Sequence, residues 1–461
     1  MIKTIFKLFI VSLILLLFTQ LTRTQEIEKP TNSEIKTENP YAVFAKTNRP
    51  DSLNINEKYL LSIDSIAEDC IDNKVFPGCQ IVVLKNGVNI YNKCFGKLEY
   101  ETNHKVKPST IYDIASLTKT TATLIAVMKL YDNDKLDLNS AASEYLDFLK
   151  NTDKEKITIS QLLFHTSGLQ PSISCYPLAL EKKGTKHPLA VDIKSNKWQY
   201  KEGITSTTPS DSFSIQVADD FYLQNKFHAM AMNKLVQTKL GAKCYVYSCI
   251  NFILLKEIVE SISGLPMNEF LDKEFYEPMG LKYSAYLPLQ KFKKEEIAPT
   301  LRWDFLRTEK IQGYVHDPDA AFLGGVSGNA GLFSTARDIA LIHQMLLNQG
   351  EINGKRYLSQ ETCRLFTTTV LESGRRGLGF NKPVPDEPKI NPCCPSAPNS
   401  TYGHTGYTGT GAWVDPENEI VYVFLSNRTY PNDGENKLAK MDIRPKIQEM
   451  IYKSLGLSKT N

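Results

Sequence analysis

The sequence contains no block of basic residues, although lysine and arginine are abundant. Its 54 basic and 51 acidic residues are mixed along 461 positions and leave a formal net charge of +3. A protein that follows a phosphate backbone needs clustered positive charge, and this distribution does not provide it. We therefore do not expect a nucleic acid partner.

The sequence also lacks the spacing of a metal site and the pattern of a disulfide framework. His316 and Asp317 are adjacent, but no second histidine pair at ligand spacing accompanies them, so we expect a local structural role for them and no metal or other cofactor. Nine cysteines, with Cys393 and Cys394 adjacent, leave at least one thiol unpaired in a monomer and predict no disulfide framework. With 42% apolar residues, the chain has enough material for a large core, which excludes a disordered protein.

The apolar run at residues 8–18 falls short of the roughly 20 residues of a membrane span. It follows Lys3 and Lys7 and has the length of a signal-peptide core. No small-x-small cleavage site stands out, so residues 1–25 are predicted to be a signal peptide or an N-terminal anchor. Residues 26–50 are polar and charged, which predicts a linker. The protein is therefore expected to be exported, to the periplasm or beyond the cell, and to contact a membrane only through this segment if it is not cleaved.

Strand and helix signals at the two ends of the remaining chain predict a shared sheet. Two β-rich runs flank Asn86 and Gly87, a dipeptide that suits a tight hairpin turn because it tolerates positive φ. A second hairpin is expected to turn at residues 415–418, and residues 437–455 are predicted to form a closing helix. These elements favour one antiparallel sheet that contains both ends of the domain.

Residues 51–461 are predicted to form one α/β (α+β) domain. The α/β part comprises about 51–113 and 300–461, and the segment between them, about 114–299, carries mostly helical patterns. We therefore expect a mainly antiparallel sheet flanked by helices, with an inserted, mostly helical subdomain.

A serine lies three residues before a lysine at the head of a long apolar run. On a helix, Ser116 and Lys119 would share one face, and apolar surroundings would lower the pKa of the lysine towards that of a usable base for the serine hydroxyl. A helix cap followed by a surface lysine is the alternative. Ser33 and Lys36 repeat the same spacing in the predicted linker, so the spacing alone proves no catalytic role.

Two further stretches support a catalytic interpretation of Ser116 and Lys119. The stretch "YVYSCINFILL" places Tyr247 just before a helix, and "YGHTGYTGTGAW" places His404 at the start of a strand. Ser-x-x-Lys, Tyr-x-Asn and Lys/His-Thr-Gly, in this order, are the motif set of the penicillin-recognising serine hydrolases. From about Asp64 to its last helix, the sequence resembles the class C β-lactamase and serine DD-peptidase family of that group.

The resemblance implies a β-lactamase/transpeptidase-like fold and three catalytic roles. Ser116 corresponds to the acylated nucleophile and Lys119 to its proton acceptor. Tyr247 corresponds to the tyrosine that carries protons to the leaving group and later from the attacking water.

The resemblance also implies a substrate-binding strand. His404, Thr405 and Gly406 would line the cleft and contact the carboxylate or carbonyl of the substrate. The backbone N–H groups of Ser116 and Tyr407 would form the oxyanion hole, which places two donors where negative charge develops.

The sequence departs from the family pattern at two positions. Cys249 replaces the asparagine of Tyr-x-Asn, and a thiol is a poor donor and acceptor, so this substrate contact is in doubt. Cys249 is either a small inert filler or a reactive thiol. His404 replaces a lysine and, with an ordinary pKa near 6.5, would be mostly neutral at pH 7, which favours a peptidase or an esterase. Arg375 and Arg376 either supply the missing positive charge or are simply solvated.

These observations predict an exported, metal-independent serine hydrolase that acts through an acyl-enzyme on an amide or ester. The substrate would be a small molecule or a peptide. That the peptide derives from the cell wall is suggested by family analogy alone. Two alternatives stay open: a true β-lactamase, and a penicillin-binding or sensing module of the same fold that does not turn over. The sequence has no Gly-x-Ser-x-Gly motif, which disfavours an α/β-hydrolase.

Overall fold

The computed structural model describes residues 39–45, 53–181, 200–372, 375–387 and 390–459. The predicted signal peptide or anchor at residues 1–25 lies outside this part of the chain. No helix within these ranges is long and apolar enough to cross a membrane. Contacts group residues Asn39–Asn461 into one compact unit, and the finer division into an α/β part and a helical part stays a prediction.

A five-stranded antiparallel sheet forms the centre of the fold. The strands in chain order are β1 (Gly78–Lys85), β2 (Val88–Gly96), β3 (Tyr112–Asp113), β4 (Thr205–Ser206), β5 (Ile215–Ala218), β6 (Phe221–Leu223), β7 (Phe333–Ser334), β8 (Glu351–Ile352), β9 (Lys355–Arg356), β10 (Tyr402–Gly406), β11 (Thr410–Asp415) and β12 (Ile420–Ser426). The order within the five-stranded sheet is β10-β11-β12-β1-β2. The antiparallel pairing of β1 with β12 runs from Cys79 opposite Ser426 to Lys85 opposite Ile420. The prediction that both ends of the domain share one sheet is therefore confirmed.

Both predicted hairpins are present. Asn86 and Gly87 have φ values of 51° and 71°, which is the left-handed conformation that a two-residue hairpin turn requires. In the second hairpin, a carboxylate oxygen of Asp415 accepts hydrogen bonds from the backbone N–H groups of Glu417 and Asn418. The short side chain of aspartate thus closes the turn between β11 and β12.

Twelve α-helices within the described ranges surround the sheets. They are α1 (Ala42–Ala45), α2 (Glu57–Asp72), α3 (Leu124–Asp132), α4 (Ile159–Leu163), α5 (Phe227–Gln237), α6 (Cys249–Ser263), α7 (Met267–Leu271), α8 (Pro318–Phe322), α9 (Ala336–Leu347), α10 (Gln360–Thr368), α11 (Lys437–Lys440) and α12 (Ile443–Ser454). Helix α6 ends at Gly264, whose φ of 70° permits the left-handed cap. Helix α9 begins at Thr335, whose side chain accepts from the N–H of Asp338.

Strand β1 lies between two hydrophobic cores. Val82 and Leu84 belong to the larger core, and Ile81 and Val83 belong to the smaller one, as the alternation of side chains along a strand requires. Helices α2 and α12 supply much of the smaller core, and α9 packs on the opposite face of the sheet. Because both faces are buried, β1 is a nearly continuous apolar run. The expected sheet flanked by helices is confirmed.

The predicted linker at residues 26–50 is wrong for its described part, residues 39–45. The hydroxyl of Tyr41 donates to a carboxylate oxygen of Asp338 at 2.5 Å, and Phe44 is buried in the larger core. These two aromatic side chains bring enough apolar surface to pack on the domain. The domain therefore begins before residue 51.

Candidate active site

Ser116 and Lys119 lie in irregular helical turns that precede α3 rather than in an α-helix. Ala115–Leu117 form a 3-10 turn and Lys119–Thr123 form a π-helical turn. The chain enters through Ala115, which has a φ of 47°, a conformation that costs a non-glycine residue roughly 1–3 kcal/mol. The two side chains are nevertheless in contact: Nζ of Lys119 donates to Oγ of Ser116 at 3.1 Å.

The ammonium group of Lys119 has three polar contacts. Besides Ser116, it donates to the carbonyl oxygen of Asn329 at 2.9 Å and lies 3.5 Å from Sγ of Cys249. The segment that contains Asn329 passes very close to α6, since a Cβ added at Gly328 would lie 1.9 Å from the carbonyl oxygen of Phe252. Glycine at this position thus allows the two segments to approach this closely.

The pKa of Lys119 is not lowered as the sequence predicted. Burial lowers the pKa, but the side chains of Cys249 and Tyr247, together with Asp317, raise it, and the net direction is upward. Burial also raises the pKa of the Cys249 thiol. Because its own pKa is raised, Lys119 holds its proton in the resting site.

Tyr247 is held against the ring of a histidine that the sequence did not single out. Its ring stacks on His165 with centroids 4.7 Å apart, and Nζ of Lys119 lies 5.2 Å from the Tyr247 centroid. Nδ1 of His165 accepts from the N–H of Ser248 at 3.1 Å, which fixes the residue next to Tyr247. Burial, followed by the positive charges of Arg376 and Lys119, lowers the pKa of His165 well below its ordinary value. The stretch "LLFHTSGL", in which His165 follows the end of the short helix α4 by two residues, was the available signal.

Strand β10 presents an open edge towards Ser116. Gly403 exchanges both backbone hydrogen bonds with Asn381 on the side away from β11. Because backbone groups alternate along a strand, Thr405 presents its backbone groups on the same side. A Cβ at Gly406 would lie 2.3 Å from the carbonyl oxygen of Ile114, so only glycine permits this approach of β10 to the segment that contains Ser116.

His404 is buried and neutral rather than a source of positive charge. Its Nδ1 contacts the carbonyl oxygen of Thr405 at 2.7 Å, and Nη2 of Arg376 lies 3.4 Å from its Nε2. A carbonyl only accepts, so the proton of the ring lies on Nδ1 and Nε2 accepts from Arg376. Burial, then the charges of Arg376 and Lys119, lower the pKa of His404 well below its ordinary value.

The two neighbouring arginines differ in their surroundings. Arg376 has 0% exposure, so it is neither solvated nor in contact with the open cleft. Its Nη2 lies 2.5 Å from Nε2 of His165, and its guanidinium lies 5.5 Å from the ring centroid of Tyr247. Arg375 lines the cleft and lies over the ring of Tyr245. Of the pair, Arg375 is the one whose side chain is accessible from the cleft.

A cleft of about 380 Å³ brings the predicted residues together. Its lining includes six of the eight predicted site residues, namely Ser116, Tyr247, His404, Thr405, Gly406 and Tyr407. Lys119, which is fully buried, and Cys249 contact one another behind this lining.

The charged side chains among the described residues that line the cleft are all cationic. They are Arg375, Lys382, Arg428 and Arg444. Arg428 is paired with Asp433 at 3.4 Å. Burial lowers the pKa of Lys382 to about 8 and that of Arg444 to about 10. This electrostatic environment favours an anionic ligand.

His316 and Asp317 have the local structural role that the sequence predicted. The side chain of Asp317 caps α8 by accepting from the N–H of Ala320 at 2.8 Å, and the N–H of His316 donates to Asp113 at 2.7 Å. Within the described ranges, no cluster of three or more histidine, cysteine, aspartate or glutamate side chains is arranged to hold a metal ion.

An antiparallel sheet flanked by helices, with a serine-lysine pair at the edge of one strand, defines the class as β-lactamase-fold serine hydrolases. Residues 63–443 match the sequence model of the family described as Beta-lactamase. The chain belongs to this family and is a serine hydrolase.

Curated relatives and solved structures agree with this assignment. A protein of Escherichia coli (strain K12) named "Putative D-alanyl-D-alanine carboxypeptidase" is 31% identical over 418 residues, which cover 85% of this chain and 87% of that protein. Among solved structures, the hydrolase EstCE1 has a TM-score of 0.61 at 19% identity and covers 86% of this chain and 99% of its own. A class C β-lactamase has a TM-score of 0.58 at 19% identity, with 87% and 99% covered. At these identities the structures support the fold alone.

Proposed function

We propose that this chain is an exported hydrolase that acylates Ser116 and then hydrolyses the acyl-enzyme, in the manner of a peptidase or esterase. The observation that carries the proposal is the 3.1 Å contact between Nζ of Lys119 and Oγ of Ser116, at a cleft that the edge of β10 also lines. A serine hydroxyl needs a base to become a nucleophile at neutral pH. Lys119 is the nearest group that can take its proton.

Lys119 must first lose the proton that it holds in the resting site. Substrate that displaces water from the cleft would disfavour the charged ammonium group, and Tyr247, next to Lys119, would carry a proton to the leaving group. Because the pKa of Lys119 is raised, we expect acylation to accelerate as the pH rises into the alkaline range. An acylation rate that is constant between pH 7 and pH 10 would exclude Lys119 as the base.

The oxyanion hole is proposed to consist of the backbone N–H groups of Ser116 and Tyr407. Tyr407 directly follows β10, and Gly406 allows the end of this strand to approach Ile114, two residues before Ser116. Two N–H donors from separate segments would stabilise the negative charge of the tetrahedral state.

The substrate is proposed to be a peptide with a free carboxylate, of cell-wall type. The cationic lining supports this class, since the described charged residues there are all lysine or arginine. The name of the curated relatives, a D-alanyl-D-alanine carboxypeptidase, points to the same chemistry. Because His404 is neutral, the charge that meets the carboxylate would come from Arg375 or Arg444. Export through residues 1–25, to the periplasm or as a membrane-anchored protein, would bring the enzyme to such a substrate.

Cys249 favours one alternative, a penicillin-binding or sensing module that is acylated without turnover. Its thiol stands where the family has an amide that positions the substrate. Such a module would be labelled stoichiometrically by a β-lactam and would stay labelled, whereas a hydrolase would lose the label as the acyl-enzyme is hydrolysed.

One set of assays tests the proposal. The parent, Ser116→Ala and the matched control Ser62→Ala, a serine at the surface of α2, are each incubated with a fluorophosphonate probe and examined by intact mass. Hydrolysis of a D-Ala-D-Ala peptide, a short-chain p-nitrophenyl ester and nitrocefin is then measured. We expect labelling of the parent and the control, none of Ser116→Ala, and turnover of the peptide or ester. Labelling of Ser116→Ala at the parent's rate would refute the assignment, and catalytic loss of nitrocefin would favour a true β-lactamase.

A further inference from the structure

Asp113 is a buried carboxylate that joins three segments around the predicted nucleophile. It is 1% exposed. One carboxylate oxygen accepts from the N–H of Ala115 at 2.8 Å, and the other accepts from the N–H of His316 at 2.7 Å. Its backbone carbonyl oxygen accepts from the hydroxyl of Thr408 at 2.7 Å. None of the proposed chemical steps uses this residue.

The hydrogen bonds of Asp113 hold the chain next to both N–H donors of the proposed oxyanion hole. The bond to Ala115 closes a turn of the type that Asp side chains form with the N–H two residues on, and it supports the positive φ of 47° at Ala115, the residue before Ser116. The bond from Thr408 holds the residue after Tyr407. Asp113 thereby contacts the direct neighbours of both proposed N–H donors.

A second hydroxyl bond runs parallel to the first. The hydroxyl of Thr410 donates to the carbonyl oxygen of Ile114 at 2.9 Å, which is the next residue after Asp113. The β10–β11 turn is thus held to the Asp113–Ile114 segment through two threonine hydroxyls, while the carboxylate of Asp113 holds the turn into Ser116.

We propose that Asp113 is a positioning residue that sets the separation of the two oxyanion-hole donors, Ser116 and Tyr407. It does not touch the substrate; it acts through Ala115 on one side and Thr408 on the other. This inference rests on the proposed acyl-transfer function. A displacement of about 1 Å between reacting groups lowers a rate on the order of 100-fold, so a residue that controls this spacing affects kcat more than KM.

The ionised form of Asp113 is the one that fits its partners. Both carboxylate oxygens face N–H donors, so a proton on either oxygen would oppose a donor. Burial raises the pKa of Asp113 to about 6 against the effect of its hydrogen bonds. The charged groups that face it are Asp317, which raises this pKa, and Arg307, which lowers it. Burial lowers the pKa of the His316 ring.

The test compares Asp113→Asn with Asp319→Asn. Asp319 is a matched control because it is also a buried carboxylate that accepts from two backbone N–H groups, those of Ser174 and Cys175 at 3.0 and 2.7 Å. Both variants are assayed with a neutral p-nitrophenyl ester between pH 5 and pH 8. For Asp113→Asn we expect a kcat lower on the order of 100-fold, a KM within about threefold, and loss of the additional decline in kcat that protonation of Asp113 is expected to cause in the parent as the pH falls through about 6.

Thr408→Val provides a second measurement if Asp113→Asn does not fold, because valine keeps the shape and removes only the hydroxyl that donates to Asp113. We expect its kcat to fall on the order of tenfold, the effect of one lost hydrogen bond. Any of three results would overturn the proposal. The first is a kcat within threefold of the parent in the variants that fold, and the second is an unchanged dependence of kcat on pH below about 6 in Asp113→Asn. The third is an equal loss of kcat in Asp319→Asn. If the parent is labelled at Ser116, such a result refutes only the role of Asp113; if the parent is not labelled, the proposed function fails and this role fails with it.

Discussion

Nη2 of Arg376 lies 3.4 Å from Nε2 of His404, and both side chains are buried. A guanidinium only donates, and Nδ1 of His404 already faces the carbonyl oxygen of Thr405, so a second ring proton would oppose Arg376. This contact keeps the His404 ring neutral, so His404 does not supply positive charge to the cleft.

Binding of a carboxylate substrate is expected to be independent of His404 titration. Because the pKa of His404 is lowered well below 6.5, its neutral form is present throughout the range from pH 6 to pH 8, and there is no charge to lose. We expect KM for a D-Ala-D-Ala peptide and for a neutral ester to change in parallel over this range. A KM for the peptide alone that rises as the pH increases through 6.5 would show a charged His404.

The stability of the fold is expected to decrease as the pH falls below about 6.5. The unfolded chain takes up a proton on His165 and His404 at their ordinary pKa, whereas the folded protein does so only at lower pH. The unfolded state therefore binds more protons, and each histidine lowers the free energy of unfolding by up to about 1.4 kcal/mol per pH unit in this window. The raised pKa of Asp113 has the opposite effect, because it increases the free energy of unfolding as the pH falls below 6.

The contribution of His404 is isolated by comparing urea denaturation of the parent and His404→Gln at pH 5.5 and pH 7. We expect a smaller difference between the two pH values for the variant. Equal differences would mean that His404 titrates alike in the folded and unfolded states.

Replacing Cys249 by asparagine is expected to favour amide substrates. The thiol lies 3.5 Å from Nζ of Lys119, and an amide there would donate to a substrate carbonyl and accept from the lysine. We expect kcat/KM for a peptide to rise about tenfold relative to the ester, as one added hydrogen bond would give. Cys249→Ala is the control for loss of the thiol alone. If both variants are slower than the parent on both substrates, the thiol itself is required.

Arg444→Met is expected to weaken binding of carboxylate substrates only. Arg444 lines the cleft, and its Nη1 donates to the carbonyl oxygen of Thr410 at 2.6 Å. We expect KM for the peptide to rise about tenfold and KM for the ester to stay unchanged, because a charge-assisted contact of roughly 1.5 kcal/mol is lost. Arg364→Met, at an exposed position of α10, controls for the change in net charge. A rise in KM for both substrates would indicate altered cleft shape instead.

Gly406→Ala is expected to abolish activity. Its Cβ would lie 2.0 Å from Oγ1 of Thr410 and 2.3 Å from the carbonyl oxygen of Ile114, so β10 would have to move away from Ser116. A loss of kcat on the order of 100-fold or more is expected from this displacement. Gly411→Ala is the matched control, since its nearest neighbour would be at 3.5 Å, an ordinary contact distance. An active Gly406→Ala with unchanged thermal unfolding would contradict the close approach.

Local patterns in the sequence were sufficient to predict several features of the fold. The turn at Asn86 and Gly87 follows from the backbone freedom of those two residues, and the turn at residues 415–418 follows from the short side chain of Asp415, which accepts from nearby N–H groups. The contact between Ser116 and Lys119 was expected from their spacing, although the turns that hold them are 3-10 and π-helical. A 3-10 turn, with three residues per turn, places residues three apart on one side of the chain, and Ser116 lies in such a turn.

Only the tertiary structure decided the protonation states and the partners of the candidate site. Lys119 has a raised rather than lowered pKa because Cys249 and Tyr247, 130 and 128 positions away in the sequence, contact it. His404 is neutral because Arg376, which local sequence patterns suggested to be solvated or to face the substrate, is buried beside it. A pKa depends on burial and on charges within a few ångströms, and those neighbours come from distant segments. The amino-acid sequence therefore determined which reactive groups are present, and the packing of the chain determined which of them are charged.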